Sequence, residues 1–275
     1  MDLSKIKLVA TDMDGTLLNS NHEVSSLFFE LFKELKKYNI LFVAASGRPY
    51  YSITEKLKAI KNDIIIIAEN GGIVMKNDSV LSSTAINKDN LFVIEHLIDS
   101  NNNIHPIFCT KDKAFFKYKS DIFIDQLGEY YPNFCVINSI YDIQDDILKI
   151  ALYNEDDSKK NIYPLFKHLE TNYKVKISGK HWVDISHELA NKGHALELLQ
   201  NIYNIRPEET MVFGDYDNDI EMLSKSDFSF AMENANSNIK NMASYLTKSN
   251  DEFGVECVLE KLIKAKNQAF NYQKP

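Results

Sequence analysis

Acidic residues in this chain gather where apolar runs stop. The stretch VATDMDGTLLNS, residues 9–20, places Asp12 and Asp14 two apart, with Gly15 and Thr16 behind them. A second apolar run ends on Ser46-Gly47-Arg48, and ETMVFGDYDND, residues 209–219, ends on Gly214-Asp215 followed by Asp217, Asn218 and Asp219. Carboxylates brought together in this way cannot all stay ionised without a cation. A hard, oxygen-seeking ion suits them, Mg2+ being the usual choice, and zinc is not expected because no His or Cys stands at these run ends. A Ser hydroxyl, a Lys ammonium such as that of Lys192, and backbone N–H groups at a helix start suit a phosphate. Carboxylate, divalent ion and phosphate clamp together point to phosphoryl transfer, in which positioning and charge neutralisation do most of the work. Asp12 is then a candidate nucleophile that forms an aspartyl-phosphate. Asp14 is placed to protonate the leaving oxygen and afterwards to activate water.

Each residue also has a plainer reading. A lone Asp12 is more often a turn residue, a lone Ser46 a helix N-cap, and a lone Lys192 a surface lysine. Here Ser46 is expected to cap a helix and bind phosphate together. Arginine occurs only at positions 48 and 206. Arg48, just past Ser46, either pairs with a neighbouring acid or lines the site, and the second reading is preferred. Asp217 reads as a solvated turn acid. Asn70, in a sharp Asn-Gly-Gly turn, is explained by the turn alone as well as by ligand contact, and Trp182, with Lys180 and His181 beside it, is read as a core residue in preference to a substrate contact. The chain holds no GxxxxGK[ST] loop, and DYDNDIEM lacks the glycine and the closing glutamate of a calcium loop.

The elements that must position these groups alternate at first. Residues 6–11, 40–45 and 64–68 read as buried strands, with helical spacing over 24–38 and a helix restarting after Ser46-Gly47-Arg48. That order means a parallel sheet with right-handed crossovers, and its ligand crevice lies at the carboxyl ends of the strands. Residues 71–83 read as a hairpin. From 84 to 187 the pattern becomes helix (88–100), strand (104–109), strand (114–118), helix (120–130), strand (134–138), strand (147–153), helix (159–171), strand (174–178) and strand (182–186), an α+β layer with a mostly antiparallel sheet. After 190 the first pattern returns, with a helix over 193–203, the strand ending at Asp215, a short helix, a strand over 228–232 and a helix over 252–266. Residues 1–83 and 188–275 are therefore expected to form one α/β unit, interrupted by an insertion at 84–187.

In this order and spacing, DMDGT, SGR, NKG and GDYDND resemble the haloacid dehalogenase superfamily, and the insertion after the third strand resembles its Cof-type phosphatases. The likeness runs over essentially the whole chain. It implies a Rossmann-like parallel-sheet core and an inserted α/β cap that closes over the crevice, selects the substrate and excludes water. By position it implies Asp12 as nucleophile, Asp14 as general acid/base and Lys192 as the lysine that neutralises nucleophile and phosphate. It further implies Mg2+ held by the Asp12 carboxylate, the Asp14 backbone carbonyl and the Asp215 carboxylate, with Asp219 supporting the metal from behind. Ser46, with the Gly47 backbone, matches the phosphate-binding segment, and Asn218 a residue near the phosphate. Aspartate at position 14 resembles the phosphatases, where the family's ion pumps carry Thr. The lysine is reached through Leu-Ala-Asn where relatives often have Gly or Val, and the insertion carries no Arg, so only Lys and His there can meet a second anionic group.

Bulk composition is compatible with this reading. With 44% hydrophobic and 25% charged residues a packed globular protein is expected, and a net charge of -8 argues against a nucleic-acid surface. No apolar run approaches the roughly 20 residues of a membrane span. The polar opening MDLSKIKLVAT is too short for a signal peptide, and three scattered cysteines without a CxxC read as reduced thiols, so a cytoplasmic location is expected. The expected partner is a small phosphate ester, with the chain a monomer or weak homodimer. The leading expectation is a Mg2+-dependent phosphatase acting on sugar phosphates, or on phosphorylated cofactors such as FMN or pyridoxal phosphate. The alternatives are a phosphosugar mutase of the same fold and a non-catalytic phosphate-ligand sensor, the last disfavoured because a pure binder needs no nucleophile.

Overall fold

Five buried residues in a row, Leu8–Asp12, form β1 of the computed structural model, which describes residues 2–87, 91–117, 131 and 133–272. A strand with no exposed face belongs at the centre of a sheet covered on both sides. It is followed by α1 (Ser26–Lys37), β2 (Leu41–Ala45), α2 (Tyr50–Lys56), β3 (Ile65–Ala68), β4 (Ile73–Lys76) and β5 (Ser79–Ser83). Next come α3 (Leu91–Asp99), β6 (His105–Cys109), β7 (Ala114–Lys117), β8 (Phe134–Ile137), β9 (Lys149–Tyr153), α4 (Ser158–Asn161), α5 (Tyr163–Phe166), β10 (Tyr173–Gly179) and β11 (Trp182–His187). The chain closes with α6 (Lys192–Tyr203), β12 (Thr210–Gly214), α7 (Ile220–Leu223), β13 (Phe228–Ala231), α8 (Ser237–Met242), β14 (Tyr245–Leu246) and α9 (Gly254–Tyr272).

The first sheet runs in the order β14-β13-β12-β1-β2-β3-β4-β5. Its strands are parallel from β14 to β3, and β4 and β5 add an antiparallel edge. The sequence order reverses at β1, which pairs β2 on one side and β12 on the other, and a crevice forms at such a switch point. The second sheet, β10-β11-β9-β6-β7-β8, is antiparallel except where β7 meets β8. A mixed α/β fold with a parallel-sheet core is thus observed, and all strands of the second sheet come from the stretch between β5 and α6.

Helical spacing in α1 buries Phe28, Leu31, Phe32 and Leu35 on one face. Phe28 and Phe32 meet Phe42 of β2 with ring centroids 5.1 and 5.8 Å apart. Each such ring contributes about 1.5–3 kcal/mol on leaving water. Ser25 caps α1 by accepting the Phe28 N–H.

Several boundaries differ from the sequence reading. The single helix expected over 159–171 is broken into α4, α5 and a 3-10 stretch at Lys167–Thr171. Pro164 has no N–H and its ring crowds the carbonyl four residues earlier, so α4 cannot run on through it. The helix α8 and the two-residue strand β14 lacked any sequence signal, and α9 continues to Tyr272. The helix expected over 120–130 lies outside the described residues.

Candidate active site

The carboxyl edge of the first sheet collects the residues singled out above. Asp12 ends β1, Asp14 follows in the next turn, Ser46 and Gly47 follow β2, and Asp215 follows β12. Lys192 is the first residue of α6, whose N-cap Asn191 accepts the His194 N–H at 2.7 Å. The Lys192 side chain is fully buried, its ammonium donating to Asp12 Oδ1 and, at 2.7 Å, to Asp219 Oδ1. The other Asp219 oxygen accepts the backbone N–H groups of Asp215 and Tyr216 at 3.0 and 3.2 Å. Asp219 is therefore spent on orienting Lys192 and the loop after β12. Asp215 Oδ1 accepts the Thr16 hydroxyl at 3.2 Å, which ties the two acidic turns together.

Gly15 shows how closely those turns approach. Its φ is +76°, and a Cβ there would lie 2.3 Å from Asp215 Oδ2. Only glycine satisfies both the left-handed backbone and that distance.

Asp12, Asp215 and Asp219 each bring a carboxylate oxygen within 4.8 Å of the others. Burial pushes the Asp12 carboxyl well above the usual carboxylate range, against the pull of Lys192, and the charges of Asp219 and Asp215 push the same way. Asp215 is raised to about 6, first by burial and then by Asp219. For Lys192, burial acts against the charge, but Asp12 and Asp219 outweigh it and hold the ammonium protonated. One ammonium among three carboxylates leaves negative charge uncompensated. An all-oxygen, partly buried donor set of this kind fits a hard divalent cation such as Mg2+.

Asp14 is arranged differently. Its carboxylate takes a bidentate pair from Arg48, Nε to Oδ2 at 2.7 Å and Nη2 to Oδ1 at 2.6 Å, and His22 Nδ1 lies 3.4 Å from Oδ1. Burial raises its pKa, but the Arg48 hydrogen bonds and charge, helped by His22, outweigh that and hold it below the usual range. Arg48 thus does both things expected of it, pairing with the neighbouring acid and lining the cavity of the site. Arg206, by contrast, pairs with Glu208 at 3.1 Å, away from the crevice.

Ser46 does not cap α2, contrary to expectation. Pro49 occupies the N-cap, and the Ser46 hydroxyl instead accepts the Arg48 N–H at 3.1 Å. Asn218 donates to Asn70 Oδ1 at 2.9 Å, so the turn at Asn70 does reach the crevice. Asp217 accepts from Asn236 and Asn238.

A cavity of about 610 Å³ connects the two sheets. Asp12, Asp14, Ser46, Gly47, Arg48, Asp215 and Asn218 line its floor, and Tyr131, Lys149, Ser178, Trp182 and Asp184 line its roof. His22, Lys149 and Asp184 had not been singled out from the sequence. Each is a single charged or titratable residue without a local motif, and only the packing of distant segments reveals it.

Residues 9–259 match the family model of the haloacid dehalogenase-like hydrolases, and the chain belongs to that family. The 5-amino-6-(5-phospho-D-ribitylamino)uracil phosphatase YbjI of Escherichia coli (strain K12) is 32% identical over 263 residues, covering 94% of this chain and 97% of its own. The putative phosphatase YxeH of Bacillus subtilis (strain 168) is 28% identical over 279 residues, covering 94% and 99%. The crystal structure of SMU.1108c from Streptococcus mutans UA159 superposes with a TM-score of 0.85 at 28% identity, covering 94% and 99%. This chain is an enzyme of the same phosphatase class, and no helix among its described residues is long and apolar enough to cross a membrane.

Proposed function

We propose that the chain hydrolyses small phosphomonoesters through an aspartyl-phosphate on Asp12, with Mg2+ as cofactor. The observation that carries this reading is the buried Lys192 ammonium, shared between Asp12 and Asp219 with Asp215 alongside. A carboxylate can attack a phosphate only if their mutual repulsion is cancelled, and this cluster supplies both the carboxylate and a fixed cation. The Asp12 and Asp215 carboxylates, with the Asp14 backbone carbonyl, would hold Mg2+. The ion would supply the remaining neutralisation of the phosphate.

In this mechanism the Ser46 hydroxyl, the Gly47 backbone and Asn218 receive the phosphate. An Asp12 oxygen bonds to phosphorus as the bond to the ester oxygen breaks, and Asp14 gives that oxygen a proton. Water then attacks the aspartyl-phosphate, Asp14 takes the water's proton, and phosphate leaves with Asp12 restored. Arg48 bears on the first half. While it grips Asp14 it favours the ionised carboxylate, which suits the water-activating half. Protonating the leaving oxygen requires Arg48 to exchange Asp14 for the incoming phosphate, an anion it grips equally well.

Residues 84–187 act as the cap and residues 1–83 with 188–275 as the core. Trp182 and Tyr131 offer flat apolar walls, and Ser178 and Asp184 offer polar groups for the leaving part of the ester. A planar ring on a hydroxylated chain, as in the ester for which the E. coli relative is named, suits such a roof. The three free cysteines are in keeping with a reducing, cytoplasmic setting, and a monomer or weak homodimer belongs to the same reading.

The test is phosphate release from a panel that includes 5-amino-6-(5-phospho-D-ribitylamino)uracil, sugar phosphates, FMN and pyridoxal phosphate, with Mg2+ or chelator. Mg2+-dependent release by the wild type and none by Asp12→Asn is expected. Equal release by both proteins would overturn the reading.

A further inference from the structure

Lys149 opens β9 in the second sheet, yet its ammonium is spent on the first. The side chain is 6% exposed, with Nζ 2.6 Å from Glu69 Oε2 and 3.2 Å from the Gly47 carbonyl oxygen. Lysine is almost never buried to this degree unless it is paired. Glu69 is 1% exposed and neither carboxylate oxygen accepts a well-aligned hydrogen bond, so the Lys149 ammonium is what compensates its charge. Burial raises the Glu69 pKa against the pull of Lys149, while the Glu69 charge outweighs burial at Lys149 and holds the lysine protonated.

The backbone beneath this pair is strained. Glu69, Asn70 and Gly71 take φ of +51°, +54° and +98° in succession, and only the last is glycine. A non-glycine residue held there is strained, so the surrounding contacts must over-determine the turn. Those contacts run to the segment after β2. The Asn70 N–H donates to the Ser46 carbonyl at 2.9 Å and the Glu69 N–H to the Arg48 carbonyl at 3.1 Å. The turn and residues 46–48 therefore form one stitched block, and Lys149 reaches into it from the other sheet.

We propose that Lys149 is a positioning residue that couples the seating of the inserted sheet to the phosphate-facing geometry of Ser46 and Gly47. This rests on the reading that Ser46 and Gly47 receive the phosphate. The link has three steps. Lys149 Nζ donates to the Gly47 carbonyl, which fixes the plane of the Gly47–Arg48 peptide. The N–H of that same peptide donates to Ser46 Oγ at 3.1 Å. With its oxygen accepting from Arg48, the Ser46 hydroxyl is oriented and keeps its own hydrogen to donate. A cation on the carbonyl polarises the peptide and strengthens its N–H as a donor. Displacing the inserted sheet would take Lys149 from both partners, hydrate Glu69 and leave the peptide plane without that anchor. The phosphate-ready loop and the seating of the inserted sheet would thus arise together.

The experiment compares wild type, Lys149→Met and Glu69→Gln/Lys149→Met in steady-state hydrolysis, with inorganic phosphate as product inhibitor. The double variant removes the stranded Glu69 charge, so it folds where the single variant is destabilised. We expect both variants to raise KM and the inhibition constant for phosphate by roughly tenfold or more, the worth of a charge-assisted hydrogen bond, with kcat falling less. A merely structural role would lower melting temperature and kcat through loss of active protein, and leave phosphate inhibition unmoved. Wild-type phosphate inhibition in the double variant would overturn the proposal. A wild type that releases no phosphate from any ester would instead strike at the proposed function itself, so the two failures are distinguishable.

Discussion

Replacing Lys192 with methionine, which nearly matches its volume, removes one charge from a fully buried site and strands two others. The ammonium contacts Asp12 and Asp219, both buried, and Asp215 lies in the same cluster. Removing one partner of a buried pair costs about 3–5 kcal/mol, because the other charge is left without compensation. In a domain of this size each kcal/mol moves the melting temperature by about 2–4 °C, so a fall of about 6–20 °C follows at neutral pH in chelator. The pH dependence has a definite sign. Burial already raises Asp12 and Asp215 above the ordinary carboxylate range, and loss of the cation raises them further. A group whose folded pKa is raised contributes stability that is complete below its unfolded pKa and is lost as pH rises through the folded one. The deficit of Lys192→Met is therefore larger at neutral pH than in acid, and the part that comes from Asp215 fades as pH falls toward about 6, the wild-type value. Lys192→Met/Asp219→Asn recovers part of the loss without activity. Thermal unfolding followed by circular dichroism between acid and neutral pH reads all of this. A single variant that melts within about 2 °C of wild type at neutral pH would refute the argument that Lys192 is what compensates these carboxylates.

Gly15→Ala places a methyl 2.3 Å from Asp215 Oδ2 in a backbone with φ of +76°. It should cut kcat/KM roughly a hundredfold by displacing that carboxylate, as steady-state kinetics on the best ester would read. Wild-type protein should melt higher with Mg2+, by the equivalent of about 2.7 kcal/mol at a hundredfold excess over Kd, and Asp215→Asn should lose most of that gain in a thermal-shift titration. Glu256 accepts the Ser25 hydroxyl at 2.6 Å, and burial raises its pKa despite that bond. Its stabilising contribution is lost as pH rises past the usual glutamate range, so Glu256→Gln should melt above wild type at pH 7 and match it near pH 4.

Much of the first sheet was legible because its signals are local. Val9 and Ala10, Phe42 and Val43, and Ile65–Ile67 are runs of buried apolar residues bounded by turn chemistry, and the groups proposed for chemistry stand directly behind them. Asp12, Asp14, Ser46, Lys192 and Asp215 each belong to a short motif, so their convergence follows once the strands are parallel. Arg48 was ambiguous because its partner Asp14 lies 34 positions away, and the structure realises both readings at once, the ion pair and the place in the cavity lining. Lys149 gave no signal at all. It stands in LKIALY like any lysine at a strand edge, and its burial depends on Glu69 and Gly47 from the other sheet. The break at Pro164 follows from proline's missing N–H, while the apolar spacing of the residues around it is that of one continuous helix. β14 could not be read, since two exposed residues pairing β13 carry no periodicity.

The central claim is that Asp12 carries the phosphoryl group. The most direct test uses Asp14→Asn with a radiolabelled nitrophenyl phosphate, whose good leaving group needs no acid but whose phosphoenzyme still needs a base to be hydrolysed. The account predicts one burst of nitrophenol per chain, and acid-quenched protein labelled at Asp12 after digestion. Nitrophenol release with the chain unlabelled, or labelled at another residue, would contradict it.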